Sequence, residues 1–215
     1  MNISIELALT NDHYFDTPHD KSLIVWHFTA GTSARSAHDT WVRPDANGHA
    51  QHVSTAYVVD PDGTIYQMFD PRFWGYALGM TEVDLAWAND KRAIEIEIAN
   101  VGPLKLSADG KSLNWWWPAN FTTRYCGIEE TSKYVKSDYR GYGYYAAFPQ
   151  PQVDAVYDLT QATFTRFSIP ARLPPPEKFY AYDPMFFTSF KGIASHQNFR
   201  RDKCDIGPAW PVRAL

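Results

Sequence analysis

An α/β domain is what this sequence predicts, and three stretches carry the prediction. Ser22-Leu-Ile-Val-Trp-His27 is a short, nearly continuous apolar run that reads as a buried strand ending at a histidine. Val53 to Val59 and Thr64 to Phe69 are β-rich runs separated by Asp62-Gly63, a hairpin signature. Residues 150–167 place Val153, Val156, Leu159, Ala162, Thr163 and Phe164 at helical spacing, with Pro151 suited to the first turn. Strands and helices mixed along one chain pack as layers around one core, and 215 residues suffice for a single domain, 1–215.

The remaining elements follow in order. After Gly31, Thr32 and Ser33 are capping residues ahead of helix formers, which places a helix near 33–43 that stops before Pro44. Lys91 to Asn100 alternates, so Ile94, Ile96 and Ile98 face one side of a strand and Glu95 and Glu97 the other. Two acids on one strand face make either a wet surface or a site. From Val101 to Tyr142 the periodicity fails and Gly, Pro, Asn and Trp115-Trp116-Trp117 dominate, so 101–142 reads as a long structureless insertion of the kind that is usually functional. A second insertion, 171–190, opens Pro-rich, and Gly192-Ile-Ala-Ser195 is a last short strand that delivers His196.

Composition narrows the partners. With 20 Lys and Arg against 24 Asp and Glu the net charge is −4, which gives no basic footprint for nucleic acid. No apolar run approaches a bilayer span, so no membrane insertion is expected, and the N-terminus lacks the pattern of a signal peptide. Cys126 and Cys204 are expected as free thiols. The 8 Trp, 13 Tyr and 13 Phe reach 16% of the chain and offer flat amphipathic area for sugars or peptides, or pins for long loops. Trp115 to Trp117 would lie buried in a subunit interface if the chain were a purely structural protein.

Chemistry concentrates near the C-terminus, where His196 is followed by Lys203, Cys204 and Asp205 ahead of Gly207-Pro208. An imidazole, an ammonium, a thiol and a carboxylate suit a zinc site with an attached electrophile, or simply a solvated polar loop. His27 and Glu97, at a strand end and on a strand face, are the other candidate pieces. His13, His19, His38, His49 and His52 stand without paired donors at ligand spacing and are assigned nothing.

Five ordered blocks carry a resemblance: I-V-W-H-F-T-A-G around His27, H-V-S-T-A-Y-V-V-D-P-D-G-T-I-Y-Q-M, A-I-E-I-E-I-A-N around Glu97, the helix ending F-S-I-P, and G-I-A-S-H with K-C-D-I-G-P-A-W. In these the chain resembles the zinc-dependent N-acetylmuramoyl-L-alanine amidases, the class that includes phage endolysins and peptidoglycan recognition proteins. The resemblance implies a central mixed β-sheet flanked by helices, with a core over about 22–210, and Zn2+ held by His27, His196 and either Asp205 or Cys204. The K-C-D-I-G-P register favours Asp205, although zinc accepts either donor. It further implies Glu97 as general base and acid and Lys203 as the group that holds the oxyanion; Glu95, two residues away on the same strand face, is the fallback base.

Trp74, Tyr76 and Tyr57 are the substrate-groove candidates, beside Ala56 and Ala77, which stand where many relatives carry His. The implied reaction is hydrolysis of the amide between N-acetylmuramic acid and L-alanine in peptidoglycan. The alternatives are a non-catalytic peptidoglycan-binding module or a cytosolic muropeptide-recycling amidase. The implied partner is peptidoglycan or a muropeptide, and a monomer is expected. It would act on the wall after phage lysis or export by a non-Sec route.

Overall fold

The computed structural model describes residues 2–80, 83–117 and 120–215. Its elements run β1 (Ile3–Ser4), β2 (Leu23–Phe28), α1 (Ala34–Trp41), β3 (Tyr57–Val59), β4 (Ile65–Gln67), α2 (Val83–Arg92), β5 (Ala93–Ile98), β6 (Pro103–Leu106), β7 (Ser112–Trp115) and β8 (Thr123–Gly127). They continue with β9 (Tyr134–Tyr139), β10 (Tyr142–Ala146), α3 (Gln150–Phe167), α4 (Pro176–Phe179), α5 (Pro184–Ser189) and β11 (Gly192–Ser195).

A mixed six-stranded sheet in the order β1-β4-β3-β5-β2-β11 forms the centre. β3, β5, β2 and β11 are mutually parallel, and β4 closes an antiparallel hairpin on β3. The turn of that hairpin needs glycine: Gly63 has φ +88°, and a Cβ there would meet the Pro151 carbonyl oxygen at 2.8 Å. One sheet face carries Ile24, Trp26, Ile94, Ile96, Ile98, Tyr57 and Ile193, and α3 covers it with Val153, Val156, Leu159 and Phe164. Gln152 of α3 reaches into this layer and donates to the Val59 and Ala99 carbonyls, both at 2.9 Å. These fully buried aliphatics each remove enough apolar surface to contribute about 2 kcal/mol.

The opposite face has two halves. Leu23, Val25, Ala93 and Ala194 pack beneath Leu78, Met80, Phe187, Phe190 and Phe199. Farther along the same strands, on the same face, stand His27 and Glu97. In a parallel sheet such positions lie at the carboxyl ends of the strands, where open α/β sheets bind ligands.

Two expectations need correction. Residues 101–142 are not structureless: β6 to β10 form a second sheet, five-stranded and antiparallel, in the order β8-β7-β6-β10-β9. Its turns carry Asp109-Gly110 and Arg140-Gly141, with Gly110 at φ +70° and Gly141 at φ +81°. The segment 171–190 contains two short helices, α4 and α5. The chain also has a helix the sequence reading did not include, α2, which runs into β5 with no residue between. The hairpin strands are shorter than their β-rich runs. Cys126 and Cys204 are free thiols. Among the described residues no helix is long and apolar enough to cross a membrane.

Candidate metal centre

Strand register assembles the site. His27 on β2 stands level with Glu97 on β5, and Ser195 on β11 stands level with Trp26, so His196 arrives beside His27. Beyond it, one turn of 3-10 helix, His196–Asn198, reverses the chain. The Gln197 N–H then donates to the Asp205 carbonyl at 2.9 Å, which brings the loop back. Gly207 makes this return possible: it has φ +74°, and a Cβ would meet the Cys204 carbonyl oxygen at 2.9 Å.

Three buried donor atoms converge there. His27 Nδ1 lies 3.0 Å from His196 Nδ1, which lies 3.0 Å from Asp205 Oδ2, and His27 Nδ1 to Asp205 Oδ2 is 3.5 Å. His27, His196 and Asp205 form a group able to hold a metal ion, with ligand atoms within 4.8 Å of one another. Donors on a tetrahedral zinc with bonds of about 2.1 Å stand about 3.4 Å apart, so the triangle has the right size.

The outer nitrogens explain why a cation fits. His196 Nε2 is 3.0 Å from the Leu78 carbonyl oxygen, which can only accept, so Nε2 carries the proton. His27 Nε2 donates in the same way to Glu95 Oε2 at 2.6 Å. In the neutral rings both Nδ1 atoms are then bare lone pairs facing each other and a carboxylate oxygen. Such a triad needs positive charge at its centre, a proton or a metal. Without a metal, burial opposes charge on His27, but hydrogen bonds with Asp205 and Glu95 outweigh it and raise its pKa. Burial lowers that of His196. For Asp205 burial is outweighed by the two histidines, and its pKa falls.

Glu97 adds an uncommitted base. Its Oε2 is buried with no hydrogen-bond partner among the described residues. Burial raises its pKa to about 7, with His27 and Lys203 pulling it down and Asp205 and Glu95 pushing it up. Lys203 is half-buried and close enough for its charge to register on both Glu97 and His196.

Cys204 stands outside the donor triangle. Burial pushes its thiol up to about 12, so in the metal-free chain it stays protonated near neutrality. It lines a separate cleft with Arg140, Tyr142, Tyr182, Arg201 and Asp202.

The expected groove aromatics divide. Tyr57 is a core residue: it stands level with Ile96, on the sheet face opposite His27, and is 3% exposed. Trp74 is buried too, stacked on Phe15 at 4.1 Å with Lys91 Nζ 5.0 Å over its ring. Tyr76 is half-buried, packs near the exposed Trp87 and lies two residues from Leu78. Of the three, Tyr76 alone keeps a partly exposed ring, and it shares a loop segment with Leu78, whose carbonyl faces His196.

Supporting residues were not visible in the sequence. Asp90 on α2 accepts the Leu78 and Ala77 N–H groups at 3.0 and 3.4 Å, fixing the loop segment whose carbonyl receives His196. From the second sheet, Tyr139 donates its hydroxyl to Gln197 Oε1 at 2.9 Å, the Tyr145 ring lies against Gly207, and Arg140 bonds the Arg201 carbonyl. That sheet thus braces the loop carrying Lys203 and Asp205. Its hairpin turns were the only available signal.

A family model described as N-acetylmuramoyl-L-alanine amidase matches residues 17–208. Among solved structures, the chain is similar to the N-acetylmuramyl-L-alanine amidase AmiD from E. coli, in complex with anhydro-N-acetylmuramic acid-L-Ala-D-gamma-Glu-L-Lys. The identity is 18%, the match covers 92% of this chain and 56% of that one, and the TM-score is 0.51. A selenomethionine AmpD derivative is matched at 14% identity over 98% of this chain and 95% of that one, TM-score 0.53. The ectodomain complex of peptidoglycan recognition proteins LCa and LCx bound to tracheal cytotoxin is matched at 13% identity over 97% and 92%, TM-score 0.50. The chain spans little more than half of AmiD, and at these identities the likeness is one of fold. No curated protein matches the sequence.

Proposed function

Because the chain belongs to the N-acetylmuramoyl-L-alanine amidase family, we propose that it hydrolyses the amide between N-acetylmuramic acid and the L-alanine of the peptidoglycan stem peptide, with zinc held by His27, His196 and Asp205. One observation carries this reading: three buried donor atoms within 3.5 Å of one another share a sheet face with a carboxylate oxygen, of Glu97, that has no partner among the described residues. When bound, zinc would supply a Lewis acid and acidify a water.

The chain's own residues do the rest. Glu97, poised near neutrality, accepts the proton of the attacking water as its oxygen bonds to the carbonyl carbon. Lys203 faces the charge that gathers on the carbonyl oxygen and donates a hydrogen bond to it. The C–N bond then breaks, and Glu97 returns the proton to the departing L-alanine nitrogen. Each group needs only a short reach, because register and the 196–205 turn hold them on one sheet face.

Purified sacculi incubated with zinc-supplemented protein should release soluble stem peptides with free L-alanine amino ends, read by mass spectrometry, and a strong chelator should stop the release. New reducing sugars without free amino ends would overturn the reaction class. Binding of sacculi with no release in either condition would favour a recognition module instead.

A further inference from the structure

Glu95 is two residues from the proposed base, on the same face of β5, yet its surroundings give it a different task. It is 4% exposed, and its Oε2 accepts the Nε2–H of His27 at 2.6 Å. That is the nitrogen on the far side of the ring from the donor triangle. Glu95 therefore cannot serve as a second general base. A carboxylate taken this far from water costs several kcal/mol unless it is compensated, so its retention calls for a reason.

Compensation is present beneath the sheet. Lys21 is buried with its ammonium on the Phe73, Lys91 and Ala93 carbonyls at 2.7, 2.8 and 2.9 Å. Arg92 bonds Asn89 Oδ1, Ser22 Oγ and the Phe190 carbonyl. Glu95 favours the charged form of both. Neither cation hydrogen-bonds Glu95, so its one partner among the described residues is His27 and its Oε1 has none. His196 has a neutral carbonyl at the equivalent place, the weaker acceptor of the two.

We infer that Glu95 is a positioning residue: it fixes the His27 ring in the Nε2–H form, so that Nδ1 presents its lone pair to a metal shared with His196 and Asp205. The inference rests on the reading of His27 as a metal ligand. A carboxylate behind a ligating imidazole fixes ring orientation and raises ligand basicity, and losing such a partner costs about 10- to 100-fold in metal affinity.

The test compares wild type, Glu95→Ala and Glu95→Gln, each stripped of metal. Zinc affinity is measured by competition with a chromophoric chelator, and the His27 ring nitrogens are followed by NMR. Glu95→Ala is expected to weaken zinc about 10- to 100-fold. Glu95→Gln, whose amide oxygen still accepts the Nε2–H, should recover most of that loss, and zinc-loaded wild type should show His27 protonated at Nε2. Unchanged affinity in Glu95→Ala, or a zinc-loaded wild type with His27 protonated at Nδ1, overturns the inference alone. If Glu95→Ala does not fold, the wild-type ring nitrogens and the Glu95→Gln affinity decide. Wild type without zinc affinity would overturn the metal reading and this inference with it.

Discussion

The carboxylate of Asp90 accepts the backbone N–H of Leu78 at 3.0 Å, and the carbonyl of that same Leu78 receives the Nε2–H of His196. A helix absent from the sequence reading thus reaches the candidate metal centre through the backbone of one residue. Asp90 pays a cost for this place: burial raises its pKa from 3.8 to about 8, and Oδ2 has no partner among the described residues.

The sign of the pH dependence follows from that shift. Between about pH 4 and 8 the folded chain holds a proton on Asp90 that the unfolded chain has released, so this group's stabilisation is full at acid pH and fades as pH rises toward 8. Asp90→Asn keeps an oxygen for Leu78 and removes the titration. Urea unfolding at pH 5 and pH 8.5, in the same metal state, should show wild type losing at least about 2 kcal/mol relative to the variant across the interval. Parallel pH profiles would refute it.

Glu97→Gln should leave zinc bound and lower kcat by about 10²- to 10⁴-fold, the usual contribution of general acid–base catalysis. Equal activity with bound zinc would remove Glu97 from the reaction.

Elemental analysis separates Asp205 from Cys204. Cys204→Ser should retain stoichiometric zinc, whereas Asp205→Ala should lose it, because only the carboxylate reaches the donor triangle. The reverse pattern would hand the third position to the thiol.

Lys203→Ala should lower kcat by about 10²- to 10³-fold with little change in zinc content, matching loss of one oxyanion donor. A variant altered only in zinc affinity would make Lys203 a support of the loop.

Gly207→Ala tests the return of that loop. A Cβ at φ +74°, 2.9 Å from the Cys204 carbonyl oxygen, should cost about 1–3 kcal/mol of stability, and zinc affinity should fall with it. Unaltered thermal unfolding would show that the loop relaxes freely.

The parts legible in the sequence were those with strong periodicity. β2, β5, α3 and β11 follow from apolar runs, alternation and helical spacing, because each lays an apolar face on one core. The second sheet escaped since strands such as Tyr134–Tyr139 alternate only between half-buried and exposed, with no apolar stripe to mark them. Its Asp109-Gly110 turn repeats the signal that revealed the β3–β4 hairpin. α2 escaped because no glycine or proline separates it from β5, and with it went Asp90. Tyr57 shows how far one residue of register matters: level with Ile96 it enters the core, whereas level with Glu97 it would have faced the site. Glu95 was visible as an acid on the right face, but its partner lies 68 positions away, and no local pattern encodes that pairing.

β11 stands at one edge of its sheet, where β2 is its only strand partner among the described residues and the Ile193 N–H ties its outer side to the Arg172 carbonyl at 3.0 Å. Edge segments open more readily than central ones. His196 follows directly from β11, and Asp205 is tied to Gln197 in the next turn, so a single peeling event would carry off two of the three donor atoms together. The lifetime of an ion held there is then set by how often one margin of the sheet breathes, and an occupied centre acts as a rivet on that margin.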